Sequence, residues 1–167
     1  VVERTLQGVS REEKAKGVSF NLEEGSLEGE EYFYIDRSLV IRALSHILEN
    51  SIESVGQGKR KEDRKRIRVF LACNQENVEI SVSDRGEGIS KKNLDRIFEP
   101  FFSTRPERVG LGLTFVKRVV EDHGGKIRIE SRLRSGTTIT LTFPKDRRRL
   151  IRREWVSSEA ENQYSSL

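Results

Sequence analysis

Four short segments hold the residues whose types and spacing could do chemistry. In the first, His46 to Ser54 (HILENSIES), His46 and Asn50 are four apart and Glu53 follows one turn later, so a helix would place them on one face. An amide in the middle of a well patterned helix costs propensity and competes for backbone hydrogen bonds. Its neutral oxygen suits a hard cation such as Mg²⁺, which takes oxygen ligands and keeps waters and substrate phosphates in its shell. The alternative is a half-exposed polar stripe. In the second segment, Asp84 to Ile89 (DRGEGI), two glycines spaced by one residue allow a tight turn and close approach of a flat ligand to the backbone. Asp84 would then be an acceptor at a strand end, able to take the exocyclic amine of an adenine, although Asp and Gly are also ordinary turn residues. The third segment, Gly110 to Leu113 (GLGL), opens a helix whose free amides and positive end favour phosphate. The fourth, Gly136 to Thr138 (GTT), begins the final strand with a hydroxyl that could reach the same pocket.

The elements that must position these groups are legible from the apolar pattern. Gly17 to Leu22 alternates like a half-buried strand, and the acidic stretch Glu23 to Glu31 reads as a loop. From Asp36 to Ser54 the spacing predicts an amphipathic helix with Asp36 as its N-cap. Gly56 to Lys65 lacks apolar residues and reads as a solvated loop. Ile67 to Ala72 and Val78 to Asp84 form a predicted hairpin about the turn Asn74 to Asn77. Ser90 opens a short helix through Phe98, Pro100 ends it, and Phe101 to Val109 reads as a mobile loop. A helix from Leu111 to His123 stops at Gly124 and Gly125, and the strands Lys126 to Leu133 and Thr137 to Phe143 follow. This order is too irregular for a doubly wound parallel sheet. The predicted fold class is α/β, a two-layer sandwich with helices packed on one face of a mixed sheet.

Composition narrows the function classes. The 167 residues are 35% charged and 34% hydrophobic, and the longest apolar run, Val69 to Cys73, is far shorter than the roughly 20 residues of a membrane-spanning helix. A lone cysteine, Cys73, excludes an internal disulfide framework and reads as a buried thiol. The net charge of +4 comes from two basic stretches, which is weak support for nucleic acid, and none is expected as a partner. Residues 1–16 are rich in charge and are expected to be a connector from a missing upstream segment, with Val1, Val2, Leu6 and Val9 spaced as the last turns of a helix leading in from it. Residues 17–144 would form one compact domain and 145–167 a basic then polar tail. That tail, with Leu150, Ile151 and Trp155 at near-helical spacing, is either a helix packed back on the domain or an interaction segment.

Taken in order, the Asn-bearing helix, DxGxG, the FEPFF loop, GLGL and the late GT resemble the ATP-binding catalytic domain of sensor histidine kinases. This is a branch of the ATPase group that includes gyrase, the Hsp90 chaperones and the MutL repair proteins, whose fold is the Bergerat-type sandwich. HILENS (46–51) is similar to the N box, Asp84 to Ile89 to the G1 box, IFEPFF (97–102) to the F box, Gly110 to Leu113 to the G2 box, and Gly136 with Thr137 to the last box. EDHGGKI (121–127) and the ending TITLTFP (138–144) also look like this branch.

The resemblance implies that ATP lies between the long helix and the sheet under a flexible lid. Asn50 would hold Mg²⁺, with Glu53 beside it. Asp84 would bind the adenine amine, Gly86, Gly88 and Ile89 would border the ring, and Thr137 would support it. Gly110, Leu111, Gly112 and Leu113 would cover the phosphates. Phe98, Phe101 and Phe102 would anchor the lid, with Phe98 counted among the nucleotide contacts; Thr104 and Arg105 would reach the nucleotide, Arg105 at the terminal phosphates. His46, Asn50 and Arg105 are the implied catalytic set. His46 stands where the family often has Asn, and either orients a group near the terminal phosphate or makes a structural bond. Glu53 and Ser54 stand where Lys or Tyr is common, and Arg108 and Val109 replace a Gly-Thr pair before GLG. Neither His46 nor His123 lies in a phosphoacceptor context such as HExxxP. The implied partners are therefore a helical dimerisation and phosphoacceptor domain of the same homodimeric parent, and a response regulator. The implied location is cytoplasmic for this domain, the parent being cytoplasmic or bound to the inner membrane. The alternatives are a serine kinase or ATPase of the anti-sigma type, and an ATP-regulated binding module that uses the basic tail.

Overall fold

The computed structural model describes residues 1–11, 15–27, 34–56 and 65–145. Five strands form one sheet, in the order β1 (Ser19–Leu27), β2 (Arg66–Cys73), β3 (Asn77–Asp84), β5 (Gly136–Pro144), β4 (Lys126–Arg132). Only β1 and β2 are parallel; the other neighbours are antiparallel. Helices α1 (Val2–Ser10), α2 (Arg37–Gly56) and α4 (Gly112–Asp122) pack together, with α2 and α4 also against the sheet, and α3 (Lys91–Leu94) is a single turn. This is the mixed sheet with helices on one face that the pattern predicts.

Period-two patterning decides which face of the sheet is covered. Ile67 and Val69 on β2, Ile80 and Val82 on β3, and Ile139, Leu141 and Phe143 on β5 are buried toward the helices. The opposite face is polar, with Ser81 and Thr140 hydroxyls 2.6 Å apart and Ser83 and Thr138 hydroxyls 2.9 Å apart in cross-strand pairs. Helix α2 buries Val40, Ala43, Leu44, Ile47, Leu48, Ile52 and Val55, each on the three-and-four spacing, and so directs the remaining positions outward. Its start is fixed as expected: the Asp36 carboxylate accepts the Ser38 and Leu39 amides at 2.9 and 3.0 Å.

Several elements differ from the sequence expectation. Val2, Leu6 and Val9 of α1 join the hydrophobic core, so the first ten residues of the expected connector are a packed layer of the domain. Strand β1 runs through Glu23 and Glu24, which were expected in a loop, because both pair with β2 opposite Phe70 and Leu71. An edge strand with one solvated face tolerates those charges. The helix expected to run to Phe98 stops at Leu94 and continues as three-residue turns, with the Arg96 amide on the Asn93 carbonyl and the Glu99 amide on the Arg96 carbonyl. Residues 57–64 of the expected solvated loop, residues 28–31 of the expected acidic loop, and the tail from 146 onward lie outside the described residues.

His123 closes the rear of the helical layer. Its ring is buried, Nδ1 donates to the Val119 carbonyl at 2.6 Å, and Nε2 accepts the Asp36 amide at 2.8 Å. These two bonds fix one neutral tautomer and tie the end of α4 to the start of α2. His123 is therefore a structural histidine.

Candidate nucleotide site

The outward face of α2, the end of β3, the loop 101–110 and the start of α4 enclose a cavity of about 490 Å³. His46, Asn50 and Glu53 enter it from α2, Asp84, Gly88 and Ile89 from the end of β3 and the turn after it, and Thr137 from β5. Thr104, Arg105 and Arg108 come from the loop, and Gly110 to Leu113 from the helix start. The four segments that look weak singly thus meet at one place. Two of the expected contacts do not line it. Gly86 sits behind Asp84, where a Cβ would collide with Ser54, so its role is to let the turn pass under α2. Phe98 packs toward α4, with the Lys117 ammonium 5.6 Å over its ring and its carbonyl accepting the Thr114 hydroxyl at 3.1 Å. Phe102 lines the cavity instead, while Phe101 is 73% exposed and anchors nothing.

The inner end is a fixed hydrogen-bond lattice around Asp84. The register sets Asp84 opposite Thr137 across β3 and β5. One Asp84 oxygen accepts the Gly86 amide at 2.7 Å and the Ser54 hydroxyl at 3.3 Å, and Ser54 also accepts the Glu87 amide at 3.0 Å. Ser131 on β4 does the same work from the other side: it accepts the Ile89 amide at 2.7 Å, donates to the Gly136 carbonyl at 3.0 Å, and lies 2.8 Å from the Thr137 hydroxyl. Burial pushes the Asp84 carboxyl above the usual range, and the Gly86 amide together with the Ser54 and Ser51 hydroxyls and the Thr137 backbone pulls it part of the way back. A desolvated acceptor held in this way recognises a donor such as an exocyclic amine. Ser54 and Ser131 were missed as site residues; the only sequence signal was a hydroxyl at a position where each element's pattern turns inward.

The outer end is built from charges. Arg105 and Arg108 turn back onto α2, where Arg105 Nη1 pairs with one Glu53 carboxylate oxygen and Arg108 Nη2 with the other. Arg108 also lies 3.9 Å from Glu49, as does His46 Nδ1. The loop, expected to be mobile without nucleotide, is folded on itself here: the Phe101 amide donates to the Gly110 carbonyl at 3.1 Å, and the Ser103 hydroxyl accepts the Arg105 amide at 3.0 Å. His46 meets the ring of Phe115 edge-on at 5.5 Å and faces the cavity beside Gly112.

No cluster of three or more His, Cys, Asp or Glu suited to a metal exists among the described residues. A divalent cation here would be held by the Asn50 amide oxygen, a hard donor, and by the phosphates of the substrate. This suits Mg²⁺, which is seldom caged by protein ligands alone. A second concavity of about 520 Å³, on the open face of the sheet, is lined by Arg66, Arg68, Arg85 and Arg132 around Ser83 and Thr138. It contains neither α2 nor the loop 101–110, and so lacks the phosphate and cation groups of the first.

Comparison with known proteins agrees with this geometry. Residues 35–147 match the family described as histidine kinase-, DNA gyrase B-, and HSP90-like ATPase, and the chain belongs to that family. Its relatives place it in the sensor histidine kinase branch. It is 32% identical over 144 residues to the sensor histidine kinase ZraS of Escherichia coli (strain K12), covering 86% of this chain and 29% of ZraS. It is 36% identical over 136 residues to the C4-dicarboxylate transport sensor protein DctS of Rhodobacter capsulatus, covering 81% of this chain and 20% of DctS. The chain thus spans under a third of these relatives. Among solved structures, the catalytic domain of histidine kinase ThkA superposes with a TM-score of 0.68 at 28% identity, covering 86% of this chain and 92% of that one. The mycobacterial sensor histidine kinase MprB gives a TM-score of 0.66 at 27% identity, covering 86% and 91%. The serine-kinase alternative is not favoured by these relatives. No helix among the described residues is long and apolar enough to cross a membrane.

Proposed function

We propose that the chain binds Mg·ATP and presents its γ-phosphoryl group to a histidine on a separate helical domain of the same parent protein, for onward transfer to a response regulator. The observation that carries this reading is the single cavity in which the desolvated Asp84, the Asn50 face of α2, the cationic loop and the GLGL helix start converge. Asp84 and Thr137 bind the adenine, and the lattice through Ser54 and Ser131 keeps them in place before the ligand arrives. Gly110 to Leu113 and the amides at the start of α4 hold phosphate oxygens. Asn50 would hold Mg²⁺ beside the phosphates, and the ion would supply charge neutralisation there. Arg105 leaves Glu53 for the terminal phosphate. His46, beside Glu49 and open to the cavity, orients groups at that end.

Phosphoryl transfer depends mostly on positioning and electrostatics, so the domain can hold a competent donor and still need the acceptor to be delivered. The test is radiolabel transfer from ATP with the chain alone and with a separately purified helical domain bearing a histidine. Label on the added domain only, lost when its histidine is changed, supports the reading. Label on a serine-bearing protein in its place would refute it.

A further inference from the structure

We propose that Glu53 is a specificity-determining residue: its carboxylate holds Arg105 and Arg108 in the nucleotide-free chain and yields them only to a ligand that carries a γ-phosphate in exchange. The proposal rests on reading the cavity as an ATP site and adds to it how ATP is told from ADP.

The charge arithmetic at Glu53 is unusual. One carboxylate faces two guanidinium groups, one on each oxygen, and Glu49 stands off at 3.9 Å from Arg108. Glu53 is thus the carboxylate that both arginines share, and all three side chains are partly withdrawn from water, with Glu53 at 18%, Arg105 at 22% and Arg108 at 36% exposure. A guanidinium fork donates to carboxylate and phosphate oxygens alike, so a γ-phosphate of charge near −2 compensates both arginines better than Glu53 does. A nucleoside diphosphate brings no additional phosphate for that exchange and leaves the pairs with the carboxylate.

The pairs are not what shapes the loop. Its base is closed by the bond between Phe101 and Gly110, and its turn by Ser103 with Arg105. The Glu53 pairs fix where the tip points, which is onto the helix face that carries Asn50. They form a latch across the mouth of the cavity, and Glu53 occupies the role of a phosphate until a phosphate arrives. A binding step that exchanges one anion for another discriminates by the difference between the two states, not by total affinity.

Two readouts test this with the full chain. Without nucleotide, Glu53→Gln should speed trypsin cleavage after Arg108 by about fivefold, the effect of losing a half-buried ion pair, with an unchanged circular dichroism spectrum. With Mg²⁺, the same variant should bind a non-hydrolysable ATP analogue about fivefold more tightly while ADP changes less than twofold. The gain should vanish when Glu53→Gln is added to a chain already carrying Arg105→Ala and Arg108→Ala. Unchanged cleavage overturns the latch whether or not the chain binds nucleotide. Equal gains for both nucleotides, or a gain that persists without the arginines, would reduce Glu53 to general repulsion, and weaker binding of both would make it a direct ligand contact. A wild-type chain that binds neither nucleotide defeats the ATP-site reading, while the cleavage comparison still judges the latch.

Discussion

The two ends of the cavity are built on opposite principles. At the inner end, Asp84, Ser54, Ser131 and Thr137 form a lattice of hydrogen bonds to one another and to the Gly86, Glu87 and Ile89 amides, anchored in three strands and a helix. At the outer end, a loop with exposed Phe101 is held by charge pairs between Arg105, Arg108 and Glu53. Hydrogen bonds to amides are directional, and the one from Gly86 to Asp84 is buried, so the inner end is a preorganised recognition surface. Charge pairs at a half-open mouth can be exchanged for other charges, so the outer end is where a ligand can change the structure. The fold assigns constancy to the base and change to the phosphates.

The largest effect expected from breaking this division is at the seam between the ends. Asn50→Ala removes the cation ligand and should weaken Mg²⁺-dependent nucleotide binding by about 100-fold, while the melting temperature stays close to wild type because the amide is outside the core. Asp84→Asn comes next. It sets an amide donor against a donor amine in a desolvated pocket, worth about 1 to 3 kcal/mol or roughly 5- to 150-fold in affinity, measured by calorimetry with ATP and ADP alike. Arg105→Ala should act only at the outer end, lowering affinity for the triphosphate by about tenfold and leaving the diphosphate within twofold.

Asp84 also gives the inner end a pH signature. Its folded-state carboxyl titrates above the unfolded one because of burial. The folded chain therefore binds this proton more readily, and the contribution of Asp84 to stability falls as pH rises from the ordinary carboxylate range through the raised value, then levels off. Subtracting the denaturation profile of Asp84→Asn from that of wild type should isolate that slope, and at neutral pH the variant should be the more stable protein. A variant that is less stable at neutral pH would mean that the lattice depends on the carboxylate charge. The smallest effect on binding belongs to His123→Ala, which removes two buried bonds behind the helices. It should cost about 1 to 3 kcal/mol of stability and change nucleotide affinity by less than twofold.

What the sequence shows of this molecule follows from where each signal is local. The amphipathic pattern of α2, the Asp36 cap and the alternation on β2 and β3 are short-range, and each corresponds to an observed element. The four motif segments were legible as well, because glycine and amide residues at turns stand out against apolar patterning. The packing of α1 on α2 was not, since whether Val2, Leu6 and Val9 are buried depends on a partner 40 residues away. Ser54 and Ser131 stayed hidden for the same reason, as their partners Asp84 and Ile89 lie 30 and 42 positions away in the chain. The direction of Phe98 and Phe101 was misjudged because a run of aromatic residues in a turn gives no period from which to tell inside from outside. Arg105 was correctly placed in the loop, but its pairing with Glu53, 52 positions earlier, has no signature in either segment.

The central claim is that this cavity takes an adenine nucleotide with its cation at Asn50. Isothermal titration of the chain with ATP, with and without Mg²⁺, tests it most directly. Saturable one-to-one binding that strengthens with Mg²⁺ in the wild type, and loses that dependence in Asn50→Ala, is the predicted result. No saturable binding, or binding whose Mg²⁺ dependence survives in Asn50→Ala, would contradict it.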